Sequence, residues 1–392
     1  MQEGRVTFGL APMEGVSELA FRLWMSQTSA PTFMSTPFLR VTDTYPRALA
    51  PTFCPELDRY RGATTYELIP QLMAAQPHDF VRTARLMLNI APFVDLNAGC
   101  PSPNPISGGA GSGLLRDPER FLGFMQHLAD ELPPQRFSLK MRTGFEDTDA
   151  FESMIRGLAA IPLRQLTIHG RTRRDRYDHH SRWDLIQRAA QALPYPVVAS
   201  GDIVSGKSWQ DRAHHDIGRV IIGRGALRNP WIFQELREQK PVDIDREILL
   251  LAMAVFGLLL EAERHAPETL DRLVLEGFFL AQAGTSRSAW QALYDHVARQ
   301  LLRPCAPRDL PFGRVTLGRL KMLWNSLRSS LPAPFFAPEL LRAKSFSEWV
   351  DAWRTLWPDD TPLPLRHESS WDWLYTSSRK RPEESTPLES IH

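Results

Sequence analysis

The chain has 392 residues, 43% of them hydrophobic and 23% charged, the composition of a folded globular protein with room for one large domain and a smaller one. Lys and Arg number 46 against 45 Asp and Glu, a formal net charge of +1, so a nucleic-acid partner would have to be met by a local basic surface. The three cysteines, Cys54, Cys100 and Cys305, are far apart and form no C-x-x-C. That excludes a cysteine-built zinc or iron–sulfur site, argues against a disulfide framework and fits a reducing cytoplasm. No run is apolar for the length of a membrane span and no leader pattern opens the chain, so a soluble protein is expected, with no membrane and no metal.

Eight β-type runs follow one another: Val6–Met13, Thr32–Val41, Tyr66–Met73, Phe93–Cys100, Phe137–Thr143, Gln165–His169, Pro196–Ser200 and Arg219–Ile222. Amphipathic stretches such as Asp117–Leu132, Phe151–Ala160 and Trp183–Leu193 separate them. Strand–helix alternation repeated eight times predicts an α/β protein built as a (β/α)8 barrel rather than an open sheet. Polar or special residues end nearly every strand: Pro12-Met13-Glu14, Arg40, Gln71, Cys100, Lys140 with Arg142, His169 with Arg171, Ser200-Gly201-Asp202, and Gly223-Arg224. A barrel places its active site at that end. Past Pro241 only helical periodicity remains, as in Glu247–Ala262, Ala289–Leu302 and Val315–Ser329. The expected division is a barrel over 1–240, an all-helical domain over 241–356 and a poorly ordered tail over 357–392, part of which Trp371 and Trp373 would tack to the surface.

The chain is organised around Val94-Asp95-Leu96-Asn97-Ala98-Gly99-Cys100-Pro101. An apolar strand stops at Gly99 and Pro101, and Cys100 stands just past its end, beside Asn97 and before the flexible stretch Gly108–Gly113. A thiol there can donate a proton to a bound ring; a buried, inert cysteine in a turn is the alternative. Gly201–Ser208 satisfies G-x-x-x-x-G-K-[ST], but it follows the seventh strand and lacks a placed magnesium ligand, so a nucleotide triphosphatase is not supported. The loops after strands seven and eight, with Ser200, Gly201, Asp202, Gly223 and Arg224, suit a barrel phosphate site better. Lys140 either stabilises negative charge on a reduced flavin or is a salt-bridged barrel lysine, and His169 is equally open between site and core. Arg171, Arg173, Arg174, Arg176, His179, His180 and Arg182, interleaved with Tyr177 and Trp183, form a basic loop suited to RNA phosphates, unless it is only a solvated face.

Together these motifs resemble the tRNA-dihydrouridine synthase family. Ala11-Pro12-Met13-Glu14-Gly15-Val16, Asp95-Leu96-Asn97-x-Gly99-Cys100-Pro101-Ser102, Lys140-x-Arg142, His169-Gly170-Arg171-Thr172 and Ile222–Leu227 match its pattern in order over Val6 to Leu236. Phe38–Val41, Cys54–Leu57, Gly108–Ala110, Arg319-Leu320-Lys321 and Leu327-Arg328 further resemble its C subfamily, which modifies uridine 16 of the tRNA D-loop. The family's usual Asn before Gly-Asp is Ser200 here.

The resemblance implies an enzyme with an FMN-binding barrel and a tRNA-binding helical domain, acting as a cytoplasmic monomer. It places Pro12, Met13, Glu14, Gln71, Lys140, His169, Ser200, Gly201, Asp202, Gly223 and Arg224 on FMN. Arg40, Asn97, Arg142, Arg171, Arg173, Arg319, Lys321 and Arg328 would face substrate and tRNA. NADPH would reduce the flavin, hydride would go to C6 of uridine and Cys100 would protonate C5. A small-molecule pyrimidine oxidoreductase on the same barrel is the alternative enzyme, and a non-catalytic RNA-binding protein the third reading.

Overall fold

The computed structural model describes residues 6–175, 179–212, 216–302, 305–331 and 339–357. Arg176 and Tyr177 of the basic loop, and the tail beyond Trp357 with Trp371 and Trp373, lie outside the described residues.

Eight parallel staves make a barrel: β1 (Thr7–Leu10), β2 (Phe33–Ser35, resumed at Leu39–Arg40), β3 (Glu67–Ile69, resumed at Gln71–Met73), β4 (Val94–Ala98), β5 (Phe137–Arg142), β6 (Leu166–His169), β7 (Val197–Ser200) and β8 (Arg219–Ile222). All eight expected strands are present. Two staves are split into segments. Pro70 has no N–H to give, which divides β3, and its carbonyl still accepts from the Asp95 N–H at 2.9 Å. The hydrogen-bonded order of segments begins at Leu39–Arg40 and ends at Glu67–Ile69. These are the missing halves of β2 and β3, which pair with each other in both segments, so the sheet closes on itself.

Alternation along the staves decides what faces where. Val94, Leu96, Ala98, Phe137, Leu139, Met141, Leu166 and Ile168 point outward into the main apolar core. Ala11, Phe33, Ile69, Phe93, Val198 and Ile221 form a separate apolar cluster inside the barrel. Phe33 fills the space above Gly9, where a Cβ would collide with the ring, and the Arg219 guanidinium covers that ring 4.2 Å from its centre. Toward the C-terminal ends the interior turns polar with Gln71, Asp95, Asn97, Ser138, Lys140, Arg142 and His169. A plugged floor and a polar mouth put the chemistry at one end.

Outer helices include Pro118–Glu131, Phe151–Leu158 and Trp183–Ala192. Asp117 caps the first, its Oδ1 accepting from the N–H groups of Glu119 and Arg120, with Pro118 in the first turn. Residues 47–57, which show no periodicity in the sequence, form two short 3-10 turns.

The helical region is built on Arg246–His265, capped by Asp245 through Oδ1 to the Ile248 N–H at 2.8 Å. Nearly every residue from Ile248 to Leu260 is buried, because the wholly buried barrel helix Leu19–Thr28 packs on one side and Pro267–Leu275, Arg287–Leu301 and Arg314–Leu327 on the others. The Trp24 indole N–H donates to the Ala252 carbonyl at 2.8 Å and its ring lies 5.1 Å from Phe256. Trp324, Trp349, Trp353 and Trp357 interlock farther out. Helix Arg314–Leu327 also packs against Arg224–Arg228, the short helix after β8, which brings the helical region to the barrel mouth. No helix among the described residues is long and apolar enough to cross a membrane.

Candidate active site

A cavity of about 440 Å³ opens at the C-terminal ends of the staves, a size suited to a cofactor or small ligand. The loop after β1 contributes Pro12, Met13 and Glu14, β4 and its loop Asn97 and Gly99 to Ser102, β5 Lys140 and Arg142, and β6 His169. The loops after β7 and β8 contribute Ser200 to Val204 and Ile222 to Gly225. Thirteen of the sequence candidates therefore meet around one space.

Cys100 lies in that wall and is held through its backbone on every side. Asn97 Oδ1 accepts from the Gly99 N–H at 2.9 Å and the Cys100 N–H at 2.8 Å. Arg142 Nε donates to the Gly99 carbonyl at 2.8 Å, and the Ser112 hydroxyl donates to the Cys100 carbonyl at 2.8 Å. Gly111 has φ +57°, and a Cβ there would press on Cys100, so only glycine lets the 108–113 stretch approach so closely. Met73, Ala110 and Phe38 enclose the thiol in apolar contacts.

Lys140 stands beside Gly99. Burial, then repulsion from Arg142, lowers its pKa to about 8 against the pull of Asp95. Burial, then the nearby Arg142, Lys140, Arg171 and Arg224, hold the His169 imidazole neutral, well below its ordinary range. At Arg228 burial and then Arg224 bring the pKa down to about 10, so two cations crowd the loop after β8. The cavity is electropositive and favours an anion.

The glycine loops adopt conformations that side chains resist. Gly201 has φ +130°, and a Cβ there would collide with the Ser181 hydroxyl; one at Gly225 would collide with the Ile203 carbonyl. Asp202 follows at φ +57°. Its carboxylate accepts from Arg171 Nη2 at 2.5 Å and from the Ser181 N–H at 2.7 Å, and Arg171 Nε reaches the His179 carbonyl at 2.5 Å. Arg182 pairs in turn with Asp175, which also accepts from the Thr172 N–H at 2.8 Å. This latch ties the loop after β6 to the loop after β7.

Three expectations about site residues change. Arg171 is wholly buried against Asp202 and presents nothing to RNA. Lys321 Nζ donates to the Ala343 carbonyl inside the helical region instead of facing outward. Gln71 sits beneath the cavity, its amide closed between Asp95 and Asn97. The G-x-x-x-x-G-K-S string opens a five-residue helix at Gly206, with Ser205 and Ser208 in a capping box, and Lys207 points to solvent and, unlike Gly201, does not line the cavity.

Of the other substrate and tRNA candidates, Asn97 and Arg142 line the cavity and Arg40, Arg173, Arg319 and Arg328 lie outside it. Arg40 is exposed near Gly108. Arg173 stacks over Phe145, 5.3 Å from the ring centre, with Arg116 over the same ring at 4.7 Å. Arg319 pairs with Glu18 at 3.0 Å beside Gly15, and Arg328 bonds Asn325. Ser181, Asp175 and Arg116 went unnoticed in the sequence as site-forming residues; Ser181 and Arg116 act across loops distant in the chain, and Asp175 pairs within its own loop with Thr172 and Arg182. No group of acidic, His or Cys side chains among the described residues is arranged to hold a metal.

Residues 9–276 match the family described as Dihydrouridine synthase (Dus). A probable tRNA-dihydrouridine synthase of Rhizobium leguminosarum bv. phaseoli is 30% identical over 291 residues, covering 71% of this chain and 88% of that protein. A tRNA-dihydrouridine(16) synthase of Ralstonia nicotianae is 30% identical over 254 residues, covering 62% and 78%. The tRNA-dihydrouridine(47) synthase [NAD(P)(+)]-like protein of Oryza sativa subsp. japonica is 34% identical over 198 residues, 48% of this chain. The matched part is 29% of that longer relative.

Proposed function

Because this chain belongs to the dihydrouridine synthase family, we propose that it reduces the C5–C6 double bond of a uridine in tRNA, at position 16, using FMN and a nicotinamide reductant. The observation that carries the reading is the convergence of Cys100, Lys140 and His169 with the glycine loops of β7 and β8 around one electropositive cavity. Position 16 rests on the likeness to bacterial (16) synthases over most of their length.

The residues present fit FMN. At Gly201 and Gly225 a Cβ would collide with Ser181 and with the Ile203 carbonyl, so only glycine lets these two loops pack as they do beside the cavity, where Arg224 with Arg228 supplies charge for a phosphate. Lys140 stands where positive charge would balance a reduced, anionic ring system. Bound and reduced, the flavin supplies a hydride equivalent for C6 of the uracil. The chain's own part is to hold the base and finish the addition. Cys100 gives its Sγ proton to C5 as C6 becomes saturated, leaving a thiolate to be reprotonated from solvent. The base has to leave its stack to reach the cavity, and the cations outside it (Arg40, Arg173 and Arg319) offset that cost by binding phosphates. His169, kept neutral, can hydrogen-bond a carbonyl or ring nitrogen without adding a proton to the balance.

The lowered pKa of Lys140 sets a pH dependence. A lysine is cationic below its pKa, so the charge is present at pH 7 and lost as pH rises through about 8. The rate of uridine reduction with saturating reductant is expected to fall above pH 8, and Lys140→Arg, which stays charged, should flatten that limb. A flat wild-type profile from pH 7 to 9.5 would remove Lys140 from the charge-balancing role. The reaction itself is tested by supplying reductant with either tRNA or free uracil. Consumption confined to tRNA is expected; equal use of free uracil would favour a small-molecule oxidoreductase.

A further inference from the structure

Asp95 does not line the cavity, yet a fully buried carboxylate costs free energy that a neutral residue would not. The strand registers Gln71↔Asp95 and Asp95↔Ser138 place it between two polar neighbours inside the barrel. Its Oδ1 accepts from the Ser138 hydroxyl at 2.5 Å and its Oδ2 from Gln71 Nε2 at 2.7 Å. Gln71 Oε1 then accepts from Asn97 Nδ2 at 2.7 Å, and Asn97 Oδ1 accepts from the Gly99 and Cys100 N–H groups.

Such a row has a direction. Each amide has one donor end and one acceptor end, and an ionised carboxylate only accepts. Facing Asp95, Gln71 has to present its NH2 group; Asn97 then has to present NH2 to Gln71, which leaves its carbonyl oxygen for the Cys100 turn. With the amides reversed, the Asn97 NH2 would oppose two backbone N–H groups. The hydroxyl of Ser138 can rotate to suit either sense, so it sets nothing. Burial pushes Asp95 up to about 6, opposed by Ser138, Gln71 and the charged neighbour Lys140, so the carboxylate is ionised at neutral pH.

We propose that Asp95 is a positioning residue whose carboxylate, acting through Gln71 and Asn97, orients the Asn97 carbonyl onto the Cys100 turn and so aims the thiol into the cavity. This rests on the reading of Cys100 as proton donor.

The test moves the charge along the row. Asp95→Asn is nearly isosteric but can present either end to Gln71, whereas Asp95→Asn combined with Gln71→Glu restores an acceptor-only group one link nearer Asn97. Two readouts on the flavin-loaded protein are taken: kcat with KM for tRNA, and the rate of Cys100 alkylation by iodoacetamide, mapped by peptide mass with Cys54 and Cys305 as references. Asp95→Asn should lower kcat about tenfold, with KM little changed, and alter the Cys100 alkylation rate severalfold, the scale of one weakened hydrogen bond. The double variant should return both toward wild type. Wild-type values in Asp95→Asn, or a defect that the relocated charge leaves untouched, would overturn the proposal. If the wild-type protein fails to reduce uridine while the alkylation pattern holds, the positioning row stands and the proposed reaction falls.

Discussion

Cys100→Ala is expected to keep its fold and its flavin and to lose uridine reduction by a factor of about 10²–10⁴, the usual contribution of a positioned general acid. The physical basis is that the Cys100 turn is held by backbone groups. Asn97 takes the N–H of residue 100, Ser112 donates to its carbonyl, and Arg142 holds the carbonyl of residue 99. None of those bonds uses Sγ, so removing the sulfur leaves the scaffold in place and, in the proposed reaction, leaves C5 without its proton donor. Single-turnover reduction of tRNA, followed with the flavin absorbance of the same preparation, separates the two consequences. Full activity in the variant would assign the proton to another group.

Arg171→Ala carries the largest expected effect on stability. Arg171 and Asp202 are both fully buried at 2.5 Å, and breaking one side leaves the other charge uncompensated, which costs about 3–5 kcal/mol. The loss would spread locally. Asp202 also holds the Ser181 N–H, and Ser181 packs against the Gly201 turn at φ +130°. The loop proposed to offer its backbone to a phosphate would therefore loosen, and the variant should be purified with little or no flavin. Urea unfolding and the flavin content of the purified protein check this; a shift below about 1 kcal/mol with normal flavin content would show that the latch is dispensable.

The barrel was legible in the chain because each stave is a short apolar run ended by polar residues, and parallel strands buried on both faces produce that pattern. Even the two split staves read as single strands, since Thr32–Val41 and Tyr66–Met73 span their interruptions. The cavity wall was equally legible, because strand-end residues of a barrel converge by topology. What failed was the reading of individual charges. A run such as Arg171–Arg182 looks predominantly basic, but the sequence does not display that Asp202, thirty-one residues on, neutralises Arg171 in the interior. Lys321 is lost to a backbone carbonyl for the same kind of reason. Gln71 was assigned to a cofactor by the family resemblance, whereas its amide, on β3, joins Asp95 to Asn97 on the neighbouring β4. Pairing across loops has no periodicity, so it leaves no mark in a linear pattern.

If this protein reduces one uridine of tRNA, as proposed, cells that lack it lose that modification. The most direct measurement is mass analysis of nucleosides from the tRNA of cells lacking it, mapped to position and repeated after the purified protein and a reductant are added back. Dihydrouridine is expected to be missing at position 16 and to return on addition of the wild-type protein, but not of Cys100→Ala. Unchanged dihydrouridine in those cells, together with no formation by the purified protein on unmodified tRNA, would contradict the proposed reaction.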